Sequence, residues 1–167
     1  LRHGTVTVRA ASAHAAIEVT QTRVDVDTDG RHATIEFSAD WMQDASRRDF
    51  TINAIYLDAN GMIFDPLGGR ADLQAGRLRF AGDARQRVKE DALRIIRYCR
   101  FLPRFEKAGK NAEIANLLRD NAALCANLSG ERIAGELRQI MVGGELAVVV
   151  GFMRKAQIDC SSLGIKF

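Results

Sequence analysis

The stretch RRDFTINA, residues 47–54, combines two adjacent arginines with a carboxylate. Planar guanidinium groups such as those of Arg47 and Arg48 can hold phosphate through paired hydrogen bonds. The neighbouring Asp49 can accept hydrogen bonds from ribose hydroxyls. The same residue types also form ordinary ion-pair clusters at protein surfaces. Taken alone, the stretch allows a phosphate- and ribose-binding site or a surface cluster, and the surface cluster is the more common outcome.

The stretch EDALRIIRYCRF, residues 90–101, places further arginines beside two carboxylates. On a continuous helix, Arg94 would lie one turn from Glu90 at i, i+4 and from Asp91 at i, i+3. A fixed Asp–Arg pair sets hydrogen-bond acceptors beside donors, which can imitate the hydrogen-bonding edge of a nucleobase. The alternative is an ordinary salt-bridge ladder on a solvated helix face, which the spacing alone favours.

The stretch RVDVDTDG, residues 23–30, alternates like a strand and contains Asp25 and Asp27. Two carboxylates at this spacing on a strand would share one face of the strand and could bind a divalent cation. The pair is therefore a candidate metal site on spacing alone.

The charge of the chain is mildly basic, with a formal net charge of +3 and a sequence pI of about 9.0. The excess is local, because residues 77–104 contain nine Lys/Arg against three Asp/Glu. Such a stretch suits a polyanionic partner such as RNA or a triphosphate, and a solvated helix face is the alternative.

The three cysteines, Cys99, Cys125 and Cys160, lie too far apart for zinc-ligand or redox spacing, and their number is odd. This usage is typical of a reduced chain and predicts a cytoplasmic location. No apolar run approaches the length of a membrane span and no signal peptide is apparent, so we expect no membrane association.

The elements expected to position these residues change in type along the chain. β-Branched, partly alternating runs predict strands at 4–9, 16–24, 32–37, 52–57 and 62–64. The segment WMQDASRRDF, 41–50, has helical spacing. The glycine-containing segment DPLGGRADL, 65–73, could be a hinge, and an inter-domain linker explains it equally well.

Helical periodicity replaces the strand pattern after about residue 72. Asp83 can cap a helix, with Gln86 three residues later. The next turns carry an apolar stripe at helical spacing: Val88, Ala92, Ile95, Ile96 and Cys99. Further helices are expected near 111–126, 130–142 and 145–157. Strands followed by helices indicate an α+β fold or two domains.

Four motifs occur in a fixed order: RRDFTINA, DPLGGRADL with GRLRFAGD, EDALRIIRYCRF, and LSGERIAGEL at 128–137. Their order and spelling closely resemble the class II tRNA nucleotidyltransferase (CCA-adding enzyme) and bacterial poly(A) polymerase family, within the polymerase-β-type superfamily. The resemblance runs from about Gly4 to about Val142.

The resemblance implies an architecture as well as a family. It predicts a partial polymerase-β-type head with a short mixed or antiparallel sheet at 1–72, an all-α, nucleotide-selecting neck at 73–142, and the start of a helical body at 143–167. Residues 65–73 correspond to a flexible motif that lets the head reorient. Residues 128–137 correspond to a motif that packs the neck helices.

The resemblance also assigns roles around the sugar and the phosphates. Arg48 corresponds to a triphosphate contact. Asp49 corresponds to the acceptor of the ribose 2′-OH, and Asn53 supports the same pocket. Arg97 either supports the base-reading arginine or reaches the phosphates.

Base selection is assigned to Glu90, Asp91 and Arg94, which correspond to the family's amino-acid template. Asp91 and Arg94 would hydrogen-bond the Watson–Crick edge of CTP or ATP. The implied reaction is attack of the 3′-OH of tRNA on the nucleotide α-phosphate, with pyrophosphate leaving and two Mg²⁺ ions assisting.

The catalytic Asp-x-Asp of the family precedes its GTVTV strand, which here begins at Gly4. The metal site is therefore expected to be missing, and the chain to be truncated at both ends and catalytically incomplete. Asp25 and Asp27 fall downstream of that site and are interpreted as a coincidental pair. Glu18 is a candidate third carboxylate, and an exposed strand glutamate is the alternative.

Three other functions stay open at this stage. Poly(A) addition by the same family is one, because its members share the quoted motifs. A non-catalytic module that binds nucleotide or RNA is another, and a purely structural helical fragment is the third.

Overall fold

The computed structural model describes residues 5–9, 16–20, 22–28, 33–37, 40–105 and 108–158. Its strands form three separate antiparallel pairs, β1 with β2, β3 with β4 and β5 with β6. Their bounds are Thr5–Arg9, Ala16–Thr20, Arg23–Thr28, Ala33–Phe37, Tyr56–Leu57 and Ile63–Phe64. Every strand pairing in these residues is antiparallel, which agrees with the antiparallel form of the predicted sheet.

Seven α-helices follow one another through the described residues, and short 3₁₀ turns connect several of them. From α1 to α7 they span Trp41–Arg47, Gly69–Gln74, Ala84–Glu90, Leu93–Phe101, Ala112–Asn121, Gly130–Val142 and Leu146–Lys155. Asp83 caps α3 by accepting from the Gln86 N–H at 2.8 Å, as predicted. The strand-then-helix order confirms the α+β class.

The helix predicted across residues 90–101 is interrupted. Helix α3 ends at Glu90, and Asp91 is extended, with φ −151° and ψ 103°. The Asp91 carboxylate accepts a hydrogen bond from the Leu93 N–H at 3.1 Å, at the start of α4. A short acidic side chain competes in this way for backbone N–H groups and favours helix ends. The prediction of a continuous helix was therefore wrong at this point.

The strand predicted at 52–57 is a strand only at Tyr56–Leu57, and its first two residues belong to a 3₁₀ turn, Thr51–Asn53. Phe50 forms an isolated antiparallel bridge with Phe80, and the Thr51 N–H donates to the Arg79 carbonyl at 3.0 Å. These contacts with residues 79 and 80 fix the backbone conformation at the start of the segment and override its β propensity.

The core is built around α4, and the predicted apolar stripe is buried throughout. Tyr98, on the same helix, is also fully buried. Its ring stacks on Phe80, with centroids 5.7 Å apart, and Phe50 also contacts both rings. The core therefore ties the segment that follows α1 to the helical part of the chain.

The boundary expected between residues 72 and 73 lies among close contacts. The fully buried Asp72 carboxylate accepts from Thr51 Oγ1 at 2.7 Å and from Arg79 Nε at 2.8 Å. The division into 1–72, 73–142 and 143–167 stays a prediction. Within the residues that the structure describes, no helix combines the length and apolarity needed to cross a membrane.

Candidate functional site

A polar cleft of about 620 Å³ opens between α1, the turn after it, and the helices α4 and α6. Its lining residues are Arg47, Arg48, Asp49, Asn53, Asp91, Leu93, Arg94, Arg97, Phe101 and Arg132. The cleft thus brings together every nucleotide-binding residue that the sequence singled out, except Glu90. Five arginines and two aspartates give this lining an excess of positive charge.

Arg47 and Arg48 are both held by Asp44, a side chain that is fully buried. Arg48 donates through Nε at 3.0 Å and Nη2 at 2.8 Å to one carboxylate oxygen. Arg47 donates to the other oxygen through Nε at 2.9 Å and also through Nη2. The Tyr56 hydroxyl adds a further donor at 2.9 Å. Both arginines therefore enter the cleft from one shared anchor.

Asp49 sits at the base of the cleft with both carboxylate oxygens in use. Oδ1 accepts from the Phe50 N–H at 2.9 Å and from Asn53 Nδ2 at 2.8 Å. Oδ2 accepts from Arg97 through Nε at 2.7 Å and lies 2.6 Å from its Nη2. Burial acts to raise the pKa of Asp49, but the Asn53 hydrogen bond and the charge of Arg97 outweigh it and lower the pKa.

Arg97 continues this network towards α6. Its Nη1 donates to Glu136 Oε1 at 3.1 Å, and Glu136 is largely buried. Arg100 Nε lies 2.7 Å from Glu136 Oε2, which is an ion-pair distance without the angles of a hydrogen bond. The chain Asp49–Arg97–Glu136–Arg100 therefore connects the cleft floor to two helices.

Arg94 is paired with Glu90, at 2.9 Å from Nη1 to Oε2. The same Nη1 donates to the Arg87 carbonyl at 2.7 Å, and Nη2 donates to the Arg47 carbonyl at 3.3 Å. Arg87 itself donates to the carbonyls of Arg47 and Arg48 at 2.6 and 2.8 Å. Arg87 and Arg94 thus hydrogen-bond to the backbone carbonyls of Arg47 and Arg48.

Asp91 is paired with Arg132 of α6, at 2.8 Å from Nη2 to Oδ2. Helical spacing placed Arg94 one turn from both Glu90 and Asp91; Arg94 pairs with Glu90, whereas Asp91 pairs with Arg132. The cause is the extended backbone at Asp91, which turns it away from the i, i+3 relation. Both side chains still line the same cleft.

Glu18 and the aspartate pair lie on the first two strand pairs. Glu18 is exposed on β2, opposite Thr7. The β3–β4 register shifts between Asp25 and Asp27, so the ladder is irregular at the pair. Asp29, Gly30 and Arg31, the part of this stretch that resembles the family, lie outside the described residues.

Three residues that form ion pairs with side chains of the cleft were not predicted from the sequence: Asp44, Arg132 and Glu136. Asp44 could have been found, because it precedes Arg47 and Arg48 at i, i+3 and i, i+4 on a predicted helix. Glu136 pairs with Arg97 across 39 residues, and Arg132 with Asp91 across 41. Partnerships at such separations carry no local signal.

Known proteins resemble the chain over most of its length. Residues 1–79 match the family described as "Poly A polymerase head domain". The human protein named "CCA tRNA nucleotidyltransferase 1, mitochondrial" is 46% identical over 147 residues, which are 87% of this chain. The "CCA-adding enzyme" of Geobacillus thermodenitrificans (strain NG80-2) is 38% identical over 148 residues, 85% of this chain. The chain belongs to the class II tRNA nucleotidyltransferase family.

A solved structure of this family shares the fold. The crystal structure of the Bacillus stearothermophilus CCA-adding enzyme in complex with CTP matches 95% of this chain, with a TM-score of 0.75 and 32% identity. The chain corresponds to 38% of that structure, and it spans about a third of the length of the curated relatives it matches, 33% of the human protein.

CCA-adding nucleotidyltransferases of this family are metal-dependent. In the described residues, no group of three or more His, Cys, Asp or Glu side chains is placed to hold a metal ion. The two carboxylates of the cleft, Asp49 and Asp91, are already paired with Arg97 and Arg132. These residues do not fit a metal ion, and no step of the reaction is assigned to one at this cleft.

The stability of this fold is expected to fall in acid because of Asp49. The pKa of Asp49 in the folded protein is lowered from the ordinary 3.8. The carboxylate therefore stabilises the fold fully at pH values well above 3.8, and this stabilisation is lost as the pH falls through the lower, folded-state pKa. Asp49→Asn should therefore flatten the pH dependence of the free energy of unfolding below about pH 5. Urea unfolding of both proteins from pH 7 to pH 3 checks this, and parallel curves would contradict it.

Proposed function

We propose that this chain is part of an enzyme that adds CCA to the 3′ ends of tRNA, using CTP and ATP. The observation that carries the proposal is the cleft, where separate motifs of the sequence meet around one opening of about 620 Å³. The names of the human and Geobacillus relatives and the CTP complex of the structural neighbour support the same activity. The proposal includes the predicted division into a partial head at 1–72, a neck at 73–142 and the start of a body at 143–167.

The arginines of the cleft suit a nucleotide triphosphate. Arg48 is paired with Asp44, but its side chain is still 39% exposed, so it can reach a ligand in the cleft. Arg47 lies beside it, and both are rigidly oriented by the buried carboxylate of Asp44. Guanidinium groups fixed in this way bind phosphate oxygens with little further ordering cost.

Asp49 suits the ribose through an exchange of partners. Both carboxylate oxygens already have N–H partners, and we propose that a 2′-OH takes the place of one of them. We take Arg97 as the donor that is displaced, because its side chain is 31% exposed and it keeps Glu136 as a second partner. Arg97 would then turn from Asp49 towards the phosphates, which is the second of the two roles expected for it.

Asp91 and Arg94 suit the bases of CTP and ATP. Cytosine and adenine both present an amino donor next to a ring-nitrogen acceptor, whereas uracil and guanine present a carbonyl next to an N–H. A carboxylate accepts from the amino group, and an arginine donates to the ring nitrogen. Among the described residues, Arg94 has no partner for its Nε–H or for its second Nη2–H, and these are the donors available to a base. Glu90 holds Arg94 in place for this contact.

The proposed reaction is attack of the tRNA 3′-OH on the α-phosphate, with release of pyrophosphate. We propose Mg²⁺ as the metal, because it is the usual companion of nucleotide triphosphates. Its ligands would be residues outside the cleft. Glu18 stays a candidate for a third carboxylate near the metal, and the Asp25–Asp27 pair stays assigned to no metal.

Removal of the base-reading pair gives the direct test. Asp91→Ala or Arg94→Ala should weaken binding of CTP and ATP about tenfold while leaving UTP and GTP unchanged, because one good base contact contributes about 1–3 kcal/mol. Equilibrium binding of each labelled nucleotide to the 167-residue chain measures the selectivity directly.

The exposed pair Arg119 and Asp120 provides the matched control, since it is an Arg–Asp ion pair outside the cleft. Arg119→Ala and Asp120→Ala should change no nucleotide affinity. Unchanged CTP and ATP affinities in the Asp91 and Arg94 variants would contradict base reading, and the salt-bridge ladder would then be the better interpretation.

Two alternatives have specific observations behind them. The matched family description names poly(A) polymerase, so the product of the full-length protein should be sequenced: a CCA end supports the proposal, and an adenosine tract overturns it. The second alternative is a non-catalytic nucleotide-binding module, which suits a cleft whose two carboxylates, Asp49 and Asp91, are both paired with arginines. That module would bind CTP and ATP selectively while the full-length protein failed to extend tRNA.

The cellular location that we infer is the cytoplasm, from the reduced cysteines. Cys99 and Cys125 are buried free thiols in the structure. The human relative carries "mitochondrial" in its name, so fractionation of cells expressing the full-length protein is the deciding measurement.

A further inference from the structure

Asp44 has the densest set of hydrogen bonds around the cleft, although it does not line it. Its side chain is fully buried, and it accepts five N–H or O–H donors from Arg47, Arg48 and Tyr56. Both guanidinium groups contact it through Nε and Nη2. This arrangement leaves each guanidinium with a single defined orientation.

Electrostatics explains why these two arginines need such a partner. Adjacent guanidinium groups repel each other, and a single carboxylate between them offsets one of the two charges. Burial alone would raise the pKa of Asp44, but the hydrogen bonds from Arg48, Arg47 and Tyr56 outweigh it and lower the pKa. Asp44 is therefore ionised whenever the cleft is assembled at neutral pH.

Tyr56 completes the anchor from the strand β5. Its hydroxyl donates to the same Asp44 oxygen that accepts from Arg48. Burial and the neighbouring Asp44 raise the pKa of Tyr56 to about 12, so the hydroxyl keeps its proton at neutral pH. The Trp41 ring packs edge-on against Tyr56, with centroids 4.9 Å apart, which restrains the tyrosine from the other end of α1.

We propose that Asp44, supported by Tyr56, is a positioning residue that sets the orientation of Arg47 and Arg48 for the triphosphate of the bound nucleotide. This inference rests on the proposed function of the cleft, because it assigns the triphosphate to these arginines. Asp44 itself acts only through them. It differs in this from Asp49 and Asp91, which line the cleft and are assigned direct contacts with the nucleotide.

The test separates phosphate binding from overall folding. Equilibrium binding of CTP and of cytidine monophosphate is measured for the 167-residue chain and for Asp44→Asn. The variant should bind CTP about tenfold more weakly and cytidine monophosphate with unchanged affinity, because only the longer ligand needs both arginines. A Tyr56→Phe variant, which keeps the carboxylate, should show the same selective loss at about threefold.

Asp72→Asn is the matched control. Asp72 is also a fully buried carboxylate that binds two arginines, Arg77 and Arg79, but none of the three lines the cleft. It should lower the melting temperature as Asp44→Asn does while leaving CTP affinity unchanged. A Glu substitution at Asp44 that restores part of the CTP affinity would support the orienting role further.

The outcomes separate this inference from the function on which it rests. A wild-type chain that binds CTP no better than the monophosphate overturns both. A wild-type preference for CTP that Asp44→Asn and Tyr56→Phe retain overturns only the role of Asp44. If Asp44→Asn does not fold, the Tyr56→Phe result decides, and an unchanged CTP affinity overturns the inference. Equal weakening of both ligands would make Asp44 a structural residue only.

Discussion

Replacing Gly69 with alanine is expected to destabilise the chain by about 3 kcal/mol, because the added Cβ has no space. It would overlap the Thr51 carbonyl oxygen and lie 2.8 Å from the carbonyl carbon and 2.9 Å from Ile55 Cγ1. Thr51 cannot move aside, since its N–H is bonded to Arg79 and its hydroxyl to Asp72 at 2.7 Å. The start of α2 is thus packed directly against the RRDFTINA segment.

Urea unfolding of the 167-residue chain measures this effect, and Gly135→Ala is the matched control. Gly135 lies within α6 and a Cβ there would meet nothing within 4 Å. Alanine at that site should stabilise the helix by about 0.5–1 kcal/mol. Equal stability of Gly69→Ala and wild type would show that residues 65–73 are loosely packed, as a hinge would be.

Replacing Asp49 with alanine is expected to have two large effects. The first is a loss of about 3 kcal/mol in stability, because Arg97 and Asn53 lose a buried acceptor. The second rests on the proposed function: the preference for CTP over dCTP should fall towards one, since the 2′-OH loses its acceptor. Urea unfolding measures the first effect and binding of the two nucleotides measures the second.

Asp58→Ala controls for the loss of an aspartate as such. Asp58 is exposed and accepts only local N–H groups, from Asn60 at 2.9 Å and Met62 at 2.7 Å. Its removal should cost about 1 kcal/mol and leave nucleotide binding unchanged. An Asp49→Ala protein that retained its preference for CTP over dCTP would remove Asp49 from the ribose site, whatever its stability.

The sequence predicted most of the elements, because their patterns are local. Helix α6 begins and ends where predicted, at residues 130 and 142, and Asp83 caps α3. Each depends on residues within one or two turns of each other, namely a capping side chain and an apolar stripe. The strand predicted at 52–57 failed for the opposite reason, since Phe80 and Arg79 determine the conformation at its start.

The sequence by itself determined the α+β class and the family. It also predicted seven nucleotide-binding residues, and six of these line one cleft. Motif spelling carries this information, because it records which side chains are present and in what order. Only the tertiary structure decided how they are paired. Asp91 binds Arg132 and Asp49 binds Arg97, over separations of 41 and 48 residues. Ion pairs depend on distances between side chains in space, and packing of α4 against α6 and against Phe50 sets those distances.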